Sequence, residues 1–579
     1  MSQDAVRRPV GDKGPERGDQ EAPATLGWRM RTLDPLTAVR RAGAPAPGPT
    51  TYVADRVLVR GVLADAAPDL SDLAEAAAKR GWSIAVEPRD LADLALVRQA
   101  DLGQDVVAGL SDAFSFGVRL EPAPGTASAP PDAWELVEAL GGRSATAGAG
   151  LSLDHVLVAS PGPSIGGTPY TQPHPYTQPH PYTQPHPYTQ PHPYTQPHPA
   201  AGIGEYGSAG SGGRSPVAWV GPSPARRHRA GETVSRTAKG LDRPVVAVLD
   251  TGTGTHPWLG DDVVVRNPTV LGVPIGPYPA AHPSAGDSEV GGMAGNPLTG
   301  GLDPASGHGT FIAGLVHQGC PDAVILSARL YGGEGAIPEW DLLSALRRLL
   351  IFHVLGLHGR TGYHPVDVLN LSLGYYHERP EDAAFDQPFA RSLAALARHG
   401  VVVVVSAGND GDPRPLYPAA FAPLLDLTAT PPAPLHPAAL SAAELPVLTV
   451  GALNPDGTTA LFSNDGPWVT CLRPGAAVVS TLPTTLDGSV AATRDLAGRR
   501  SGERRATMDP DGFGGGFGVW SGTSFATPVL AGELAAALLA RREQVPPPAP
   551  GGSWADAVAA RCTLGWQAVA ATTGLAPGS

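Results

Sequence analysis

Charged side chains are scarce in this chain of 579 residues. Asp, Glu, Lys and Arg make up 16% of it, against roughly 25% in an average globular protein. Only three residues are lysine, and 54 acidic residues outnumber 41 basic ones, giving a formal net charge of −13. This balance argues against a chain that coats nucleic acid or an anionic membrane, so we expect no nucleic-acid partner.

Cysteine is almost absent as well. The three residues are Cys320, Cys471 and Cys562. They are too few for a disulfide framework, and they lack the spacing of a cysteine zinc site. We expect free or structural thiols, which fit a reducing compartment.

The chain also lacks a long apolar run. No stretch reaches 18 uninterrupted apolar residues, because Arg347, Arg348 and Glu533 interrupt the best candidates. Residues 1–30 carry Pro, Gly and charge where a signal peptide would have its apolar region. We therefore predict no membrane span and a cytoplasmic location, with export by a route other than Sec left open.

Glycine and proline are abundant instead, with 72 and 63 residues. Residues 1–50 are polar, Pro-rich and without period, which predicts a disordered leader. Residues 51–160 show strand and helix patterns in the order β-α-β-β-α-β, typical of a small α+β ferredoxin-like domain. About 25 residues between the second and third of these strands fit no element.

Residues 161–240 form a Pro/Gly-rich linker, in which the hexapeptide PYTQPH occurs five times over residues 169–198. Two prolines per hexapeptide exclude a helix and favour extended polyproline II. The repeat histidines could bind a metal, but regular spacing in a stiff chain keeps them apart, so we prefer a solvated spacer. The basic run at 225–229 is interpreted as a solvated patch, with a protease-sensitive joint as the alternative.

From residue 241 to 545 the sequence is densely α/β, and four polar residues stand at the ends of its elements. Asp250 ends the buried strand RPVVAVLD, where α/β sheets place their sites. His308 begins a helix among small residues, and Asn409 follows the strand VVVVVS. Ser524 lies at the N-terminus of a long helix, where backbone N–H groups favour a developing negative charge.

Each of these residues has an ordinary structural explanation as a turn residue or a helix cap. Together they provide the groups that nucleophilic catalysis by a serine requires. A serine hydroxyl needs a base, a histidine can take its proton, and an aspartate can orient that histidine. The Asn409 amide and the Ser524 backbone N–H could stabilise the oxyanion of acyl transfer.

This part of the sequence resembles the subtilisin-like serine proteases, peptidase family S8. VAVLDTG, GHGTFIAG, LSLG, SAGN and SGTSFATPVLAG are each similar to a family motif, and Asp250, His308 and Ser524 follow the Asp-His-Ser order. The resemblance implies an α/β fold, a subtilisin-like parallel sheet flanked by helices, over residues 241–545. It also implies a serine endopeptidase that hydrolyses peptide bonds through this triad and an acyl-enzyme intermediate, without a cofactor.

The resemblance extends to the residues that hold a polypeptide substrate. Asn409 and the Ser524 backbone match the oxyanion hole. Three residues resemble the strand that pairs with the substrate backbone: Ser372, Leu373 and Gly374. Three more resemble the second wall of the specificity pocket: Ser406, Ala407 and Gly408. Small walls imply a large apolar side chain before the scissile bond, although Asp410 and Asp412 could instead favour a basic one.

The sequence also departs from the family. The stretch between Asp250 and His308 lacks the usual calcium-loop pattern, so we predict no metal site. Residues 419–445 look inserted. Residues 484–519 lengthen the approach to the nucleophile and end in the Gly-rich piece GFGGGFG, which we predict to be a mobile surface loop near the cleft. Residues 546–579 form a tail with a short closing helix.

Family members commonly carry a propeptide of the same β-α-β-β-α-β order, which assists folding and inhibits the site. The resemblance therefore implies that residues 51–160 are an intramolecular inhibitor, tethered by the linker. The alternative is an independent α/β module, because no motif in that region supports the assignment.

Three other functions fit part of the pattern. A catalytically silent peptide-binding module is disfavoured because no triad residue is missing. A sedolisin-type acid peptidase has a similar nucleophile motif but lacks the GHGT histidine. A GxSxG esterase is disfavoured because Ser524 lies in GTSFA and follows both its acid and its histidine in the chain.

Overall fold

The computed structural model describes the following residues: 28–61, 67–112, 114–126, 128–140, 150–159, 213–226, 243–295, 298–379, 387–430, 432–544 and 553–578. Residues 1–27 and the PYTQPH repeats lie outside them. The predicted disordered leader is wrong from Met30 onward, because Met30–Leu33 pair antiparallel with Thr50–Val53.

The described residues between 28 and 159, which we call the N-terminal unit, form five strands and four helices. The strands are β1 (Met30–Leu33), β2 (Thr50–Arg60), β3 (Trp82–Val86), β4 (Ser115–Pro122) and β5 (Leu151–Ala159). The helices are α1 (Ala67–Ala78), α2 (Pro88–Gln99), α3 (Gln104–Asp112) and α4 (Ala133–Leu140). Helices α2 and α3 fill the stretch to which the sequence pattern assigned no element.

Strands β2 to β5 form an antiparallel sheet in the order β5–β2–β4–β3. Leu58 of the central strand β2 pairs with Gly117 of β4 and with Ser152 of β5. An apolar core that includes Leu73 of α1 and Trp134 of α4 covers one face. Classification of this unit as ferredoxin-like stays a prediction.

The remaining described residues form an α/β unit. Its strands are β6 (Ser215–Pro216), β7 (Val245–Asp250), β8 (Val264–Arg266), β9 (Thr269–Val270), β10 (Val273–Pro274), β11 (Val324–Arg329), β12 (Ala336–Pro338), β13 (Val368–Leu371), β14 (Leu373–Tyr376), β15 (Val402–Ser406), β16 (Leu416–Tyr417), β17 (Leu425–Asp426), β18 (Ala433–Pro434), β19 (Val447–Leu453), β20 (Cys471–Pro474), β21 (Val478–Thr481), β22 (Asp495–Ala497), β23 (Arg504–Ala506) and β24 (Phe517–Trp520). Its helices are α5 (His308–Gly319), α6 (Glu339–Leu357), α7 (Gln387–Arg398), α8 (Thr523–Gln544) and α9 (Trp554–Thr573). Two short 3₁₀ helices, Ala419–Phe421 and Pro437–Ala439, lie in the inserted stretch.

Seven of these strands form the predicted parallel sheet, in the order β20–β19–β15–β13–β7–β11–β8. Its strands are rich in Val and Leu because helices cover both faces. Alternate residues of β7 face opposite sides: Val245, Ala247 and Leu249 pack with α6 and α7, while Val246 and Val248 pack with α5 and α8. The carboxyl ends of the strands share one edge.

The two units share one core. Strand β5 pairs antiparallel with β12 through Val156–Val158, and with β14 through Val158 and Ala159. Leu96 and Val97 of α2 lie in the same apolar cluster as the buried residues of α6. The N-terminal unit therefore packs directly against the parallel-sheet unit.

Three peripheral segments differ from the predictions. Within the predicted linker, β6 pairs with β24, and Arg226 is ion-paired to Asp262 at 3.2 Å rather than solvated. The Gly-rich piece predicted to be a mobile loop, residues 512–518, contains the fully buried Phe513 and the first residues of β24, and the hairpin β22–β23 lies in the stretch before it. The predicted short closing helix is α9, which has 20 residues and buries Trp566.

The three cysteines are free thiols, as their number and spacing predicted. Among the described ranges, α8 is the one helix long and apolar enough to cross a membrane, yet 72% of its most apolar window is buried inside the protein. Core helices of globular proteins pass the same test, so this is weak evidence for a span.

Candidate active site

Asp250 and His308 meet at the carboxyl edge of the parallel sheet. Asp250 ends β7, and His308 begins α5 after Gly307, whose φ of 77° lies in the left-handed region that favours glycine. The His308 Nδ1 atom lies 2.8 Å from the Asp250 Oδ1 atom, and both side chains are buried. With Nδ1 donating to Asp250, the lone pair of Nε2 can accept a proton.

Two further donors hold the Asp250 carboxylate. The Thr251 backbone N–H donates to Oδ1 at 2.8 Å, and the Tyr331 hydroxyl donates to Oδ2 at 2.7 Å. Both carboxylate oxygens are therefore bonded, which fixes the rotation of the carboxylate as well as its position. The Nε2 atom of His308 is buried and has no hydrogen-bond partner within the described ranges.

Ser524 lies in the first turn of α8 and contacts Ser372. The Ser372 hydroxyl donates to the Ser524 carbonyl oxygen at 3.1 Å, and the Ser524 hydroxyl makes a long contact of 3.4 Å with the Ser372 carbonyl oxygen. The ring of the next residue, Phe525, lies 5.3 Å from the His308 ring. The candidate nucleophile and base are thus on helices that pack together.

Asn409 is buried beside the start of α8. Its Oδ1 atom accepts from the backbone N–H and from the hydroxyl of Thr523, both at 2.8 Å. Because Thr523 holds the oxygen, the amide nitrogen is turned away from it. Asn409 is therefore held beside Thr523, the residue that precedes Ser524.

The predicted substrate strand, Ser372–Gly374, lies against the N-terminal unit. Leu373 pairs with Ala159, and Gly374 pairs with Val158. Since β12 pairs with the other edge of β5, the two strands β12 and β14 form a slot one strand wide. We call this the substrate slot.

The other predicted pocket residues are all buried: Ser406 ends β15, and Ala407 and Gly408 follow it. A Cβ atom on Gly408 would lie 2.3 Å from the Asn464 side chain, so glycine is required there. Asp410 accepts from the Tyr376 hydroxyl at 2.8 Å, and Asp412 accepts from a neighbouring backbone N–H. Both acids are engaged in hydrogen bonds within the structure.

Sequence reasoning missed Glu289, a buried acid behind Asp250 and His308. Its two carboxylate oxygens accept from the hydroxyls of Thr251 and Thr310, which follow Asp250 and His308 in the chain. Glu289 thereby links the end of β7 to the start of α5. Burial raises the pKa of Glu289 to about 7, against the opposing effect of the two hydroxyl donors.

A second buried cluster lies between the two units. His155 of β5 has its Nδ1 atom 2.9 Å from Glu339 and its Nε2 atom 2.8 Å from Glu378. Burial alone would lower the pKa of His155, but the carboxylates of Glu378 and Glu339 outweigh it and raise that pKa well above its usual range. This shift favours the protonated imidazole, whose two nitrogens lie within hydrogen-bond distance of the two acidic side chains.

Ligand atoms of His155, His377 and Glu378 lie within 4.8 Å of one another, a spacing that could hold a metal. The bonding favours a different description. Both nitrogens of His155 are within hydrogen-bond distance of carboxylates, and Nδ1 of His377 accepts from the Arg379 backbone N–H at 2.8 Å. We describe these residues as an ion-paired cluster.

Comparison with known proteins identifies the family. Residues 242–560 match the model of the Subtilase family. The chain is 27% identical over 307 residues to subtilisin-like protease 2 of Pseudogymnoascus destructans, covering 51% of this chain and 65% of that protein. It is 25% identical over 240 residues to the major intracellular serine protease of Bacillus subtilis, covering 38% of this chain and 62% of that protein. It is 28% identical over 268 residues to subtilisin BL of Lederbergia lenta, covering 44% and 73%.

Solved structures of related enzymes are similar at lower identity. Fervidolysin from Fervidobacterium pennivorans, a keratinolytic enzyme related to subtilisin, is 16% identical with a TM-score of 0.39, covering 85% of this chain and 56% of that chain. A lanthipeptide protease is 21% identical with a TM-score of 0.32, covering 55% and 78%. The family match spans more than half of the chain and includes Asp250, His308, Asn409 and Ser524. The chain therefore belongs to the Subtilase family of subtilisin-like serine proteases.

Proposed function

We propose that this protein is a serine endopeptidase whose catalytic triad is Asp250, His308 and Ser524. The observation that supports this most strongly is the buried 2.8 Å contact between Asp250 and His308, beside the helix start that carries Ser524. A histidine oriented in this way by an acid is the general base that a serine nucleophile requires.

In the proposed reaction, Nε2 of His308 takes the proton of Ser524 as the serine oxygen attacks the peptide carbonyl carbon. Asp250 stabilises the imidazolium that forms. The Asn409 amide and the Ser524 backbone N–H donate to the oxyanion. His308 then gives its proton to the leaving amine, and a water molecule activated by the same histidine hydrolyses the acyl ester on Ser524.

The proposed substrate is a polypeptide in extended conformation. A single strand fits between β12 and β14, where main-chain hydrogen bonds are available on both sides. Small residues at Ser406–Gly408 support a large side chain before the scissile bond. The engagement of Asp410 with Tyr376 argues against a role in recognising a basic residue at that position.

We further propose that residues 51–160 are a ferredoxin-like intramolecular inhibitor. Its last strand, β5, fills the substrate slot, and the Ala159 N–H donates to the Gly335 carbonyl oxygen at 2.7 Å. Helix α2 supplies a second attachment, since Asp93 binds Arg347 and Arg348, each at 2.8 Å. A substrate would have to displace β5 from the slot.

The Pro-rich linker is proposed to be the tether of this inhibitor and the place where it is cut. Downstream of it, Arg214 is fully buried, donates to the Asp303 carbonyl oxygen at 2.8 Å, and lies 4.7 Å from the Trp520 ring centroid. The described residues 213–226 are thus attached to the α/β unit, which we call the catalytic unit. A cut within residues 160–212 would release the inhibitor and leave that segment attached.

Hydrolysis of a fluorogenic peptide by the purified full chain tests the proposal, with Ser524→Ala as its matched control. The wild type should hydrolyse the peptide and cut itself within residues 160–212. The Ser524→Ala protein should do neither and should remain one chain of 59.3 kDa. Peptide binding without hydrolysis by the wild type would instead favour a silent peptide-binding module.

A further inference from the structure

The two carboxylates that hold His155 flank the substrate slot. Glu339 directly follows β12, and Glu378 lies two residues after β14. The His155 ring also stacks on Tyr375 of β14, with centroids 4.4 Å apart and an interplanar angle of 20°. These three partners belong to the catalytic unit, whereas His155 belongs to the proposed inhibitor.

The register of the slot fixes where this site lies along a substrate. Ala159 is opposite Leu373, and in an antiparallel pair the following substrate residue is opposite Ser372. The Ser372 carbonyl oxygen contacts the Ser524 hydroxyl, so that following residue carries the carbonyl that is attacked. A side chain in the place of His155 therefore lies five residues before the attacked one.

We propose that Glu339 and Glu378 form a subsite for a basic substrate side chain, five residues before the residue whose carbonyl is attacked. This inference rests on the proposed peptidase function and adds a substrate class to it: extended polypeptides with arginine or histidine at that position. In the structure, His155 of β5 occupies the subsite.

The chemistry of the subsite requires a cation. Two carboxylates that face one buried position are strongly unfavourable unless a positive charge lies between them. The basic residues of the same unit lie near Glu378 only. Nδ1 of His377 is 3.6 Å from Glu378 but accepts from the Arg379 backbone N–H. The Arg414 guanidinium donates to the carbonyl oxygens of His377 and Pro49, so His155 is the basic residue that contacts both acids. A flat cation is favoured, since a guanidinium can pair with carboxylates and stack on Tyr375, whereas an ammonium cannot stack.

A peptide series measures this preference without changing the protein. The peptides share one sequence and differ only at the subsite position, which carries arginine, histidine, alanine, glutamate or citrulline. Citrulline is the neutral isostere of arginine. We expect kcat/KM for the arginine peptide to be roughly tenfold higher than for the citrulline peptide, with glutamate the poorest. Equal kcat/KM for arginine and citrulline would overturn the proposal.

Enzyme variants assign the preference to the two acids. In Glu378→Gln, and likewise in Glu339→Gln, the ratio between the arginine and citrulline peptides should fall towards one. The exposed turn residue Asp456 gives the control, and Asp456→Asn should keep the wild-type ratio. A ratio unchanged in both glutamine variants would contradict the assignment.

The full chain provides a third measurement that does not depend on the peptides. His155→Leu removes the cation from β5 and should accelerate hydrolysis of a reporter peptide, because the inhibitor is weakened. His155→Arg should not accelerate it, and neither should His436→Leu at an exposed site. Fluorophosphonate labelling of protein that has cut its linker separates the two proposals: no label on Ser524 refutes the peptidase itself, whereas labelled protein with no preference refutes only the subsite.

Discussion

At the scale of single residues, hydrogen bonds orient the groups proposed to react. Asp250 is bonded through both carboxylate oxygens, and Asn409 is held through its Oδ1 atom. None of these groups has to reorganise when charge develops on the histidine or on the oxyanion. Preorganisation of this kind is the main source of electrostatic stabilisation in enzymes.

The Asn409→Ala variant should lower kcat by roughly 10²–10³ with little change in KM, as is typical when one oxyanion donor is removed. The side chain would act on the transition state and not on the bound substrate. Steady-state kinetics with the fluorogenic peptide measures both constants. Asn454→Ala, in a turn of the same unit, is the control, and a change confined to KM would show that Asn409 only shapes its turn.

Glu289 should make stability depend on pH. Its folded-state pKa of about 7 lies above the unfolded value, so the folded chain holds this proton more tightly. Stability therefore falls as pH rises from the unfolded pKa to the folded one, by roughly 3 kcal/mol in all. The neighbouring charges are Asp250, which raises this pKa, and Arg329, which lowers it.

The Glu289→Gln variant should remove that part of the pH dependence. Urea unfolding at pH 5 and pH 8, in the inactive Ser524→Ala background, measures it. The parent protein should lose more stability between the two pH values than the Glu289→Gln variant does, whereas Glu503→Gln on an exposed hairpin should behave like the parent. If both proteins lose the same free energy of unfolding between pH 5 and pH 8, the Glu289 carboxyl group has the same pKa in the folded and unfolded states.

At the scale of elements, buried ion pairs attach the proposed inhibitor to the catalytic unit. Asp93 of α2 contacts both Arg347 and Arg348 of α6, and all three side chains are buried. Removing one partner of such a network leaves an uncompensated charge, which is more costly than the loss of an exposed pair.

The Asp93→Asn variant should therefore destabilise the chain by about 3–5 kcal/mol. The control is Glu75→Gln, which breaks an exposed pair with Lys79 on α1 and should change stability by less than about 0.5 kcal/mol. Urea unfolding in the Ser524→Ala background gives both free energies. If both variants change the free energy of unfolding by similarly small amounts, the ion pairs between α2 and α6 are exposed to water rather than buried.

The elements also show what a sequence can and cannot predict. Asp250, His308 and Ser524 lie in short motifs at the ends of regular elements, so local pattern was enough to select them. Glu289 lies in a Gly/Pro-rich stretch, and its partners Thr251 and Thr310 are 38 and 21 residues away. The hydrophobic periodicity of a short segment contains no information on contacts between residues so far apart in the sequence.

The same reasoning explains the interface between the units. His155 meets Glu339 and Glu378 across 184 and 223 residues, and nothing in the strand pattern of β5 identifies its partners. Helices α2 and α3 were missed because the predicted β-α-β-β-α-β order has no helix between its second and third strands. These helices pack against α6 and α7, which lie far along the chain.

At the scale of the whole molecule, the N-terminal and catalytic units share an apolar core, and β5 lies between β12 and β14, the slot proposed to bind a substrate strand. Under the proposed function, activity depends on displacement of β5. It also means that weak peptide hydrolysis by the intact chain would not by itself argue against the proposed triad. The decisive measurement must report on Ser524 directly.

That measurement is fluorophosphonate labelling followed by peptide mapping, applied to the wild type, Ser524→Ala and His308→Ala. The account predicts one adduct, on Ser524, in the wild type and none in Ser524→Ala. It also predicts that His308→Ala labels far more slowly, because the hydroxyl loses its base. A wild type that folds and cuts its linker but carries no adduct on Ser524, or an adduct that forms equally fast without His308, would contradict the central claim.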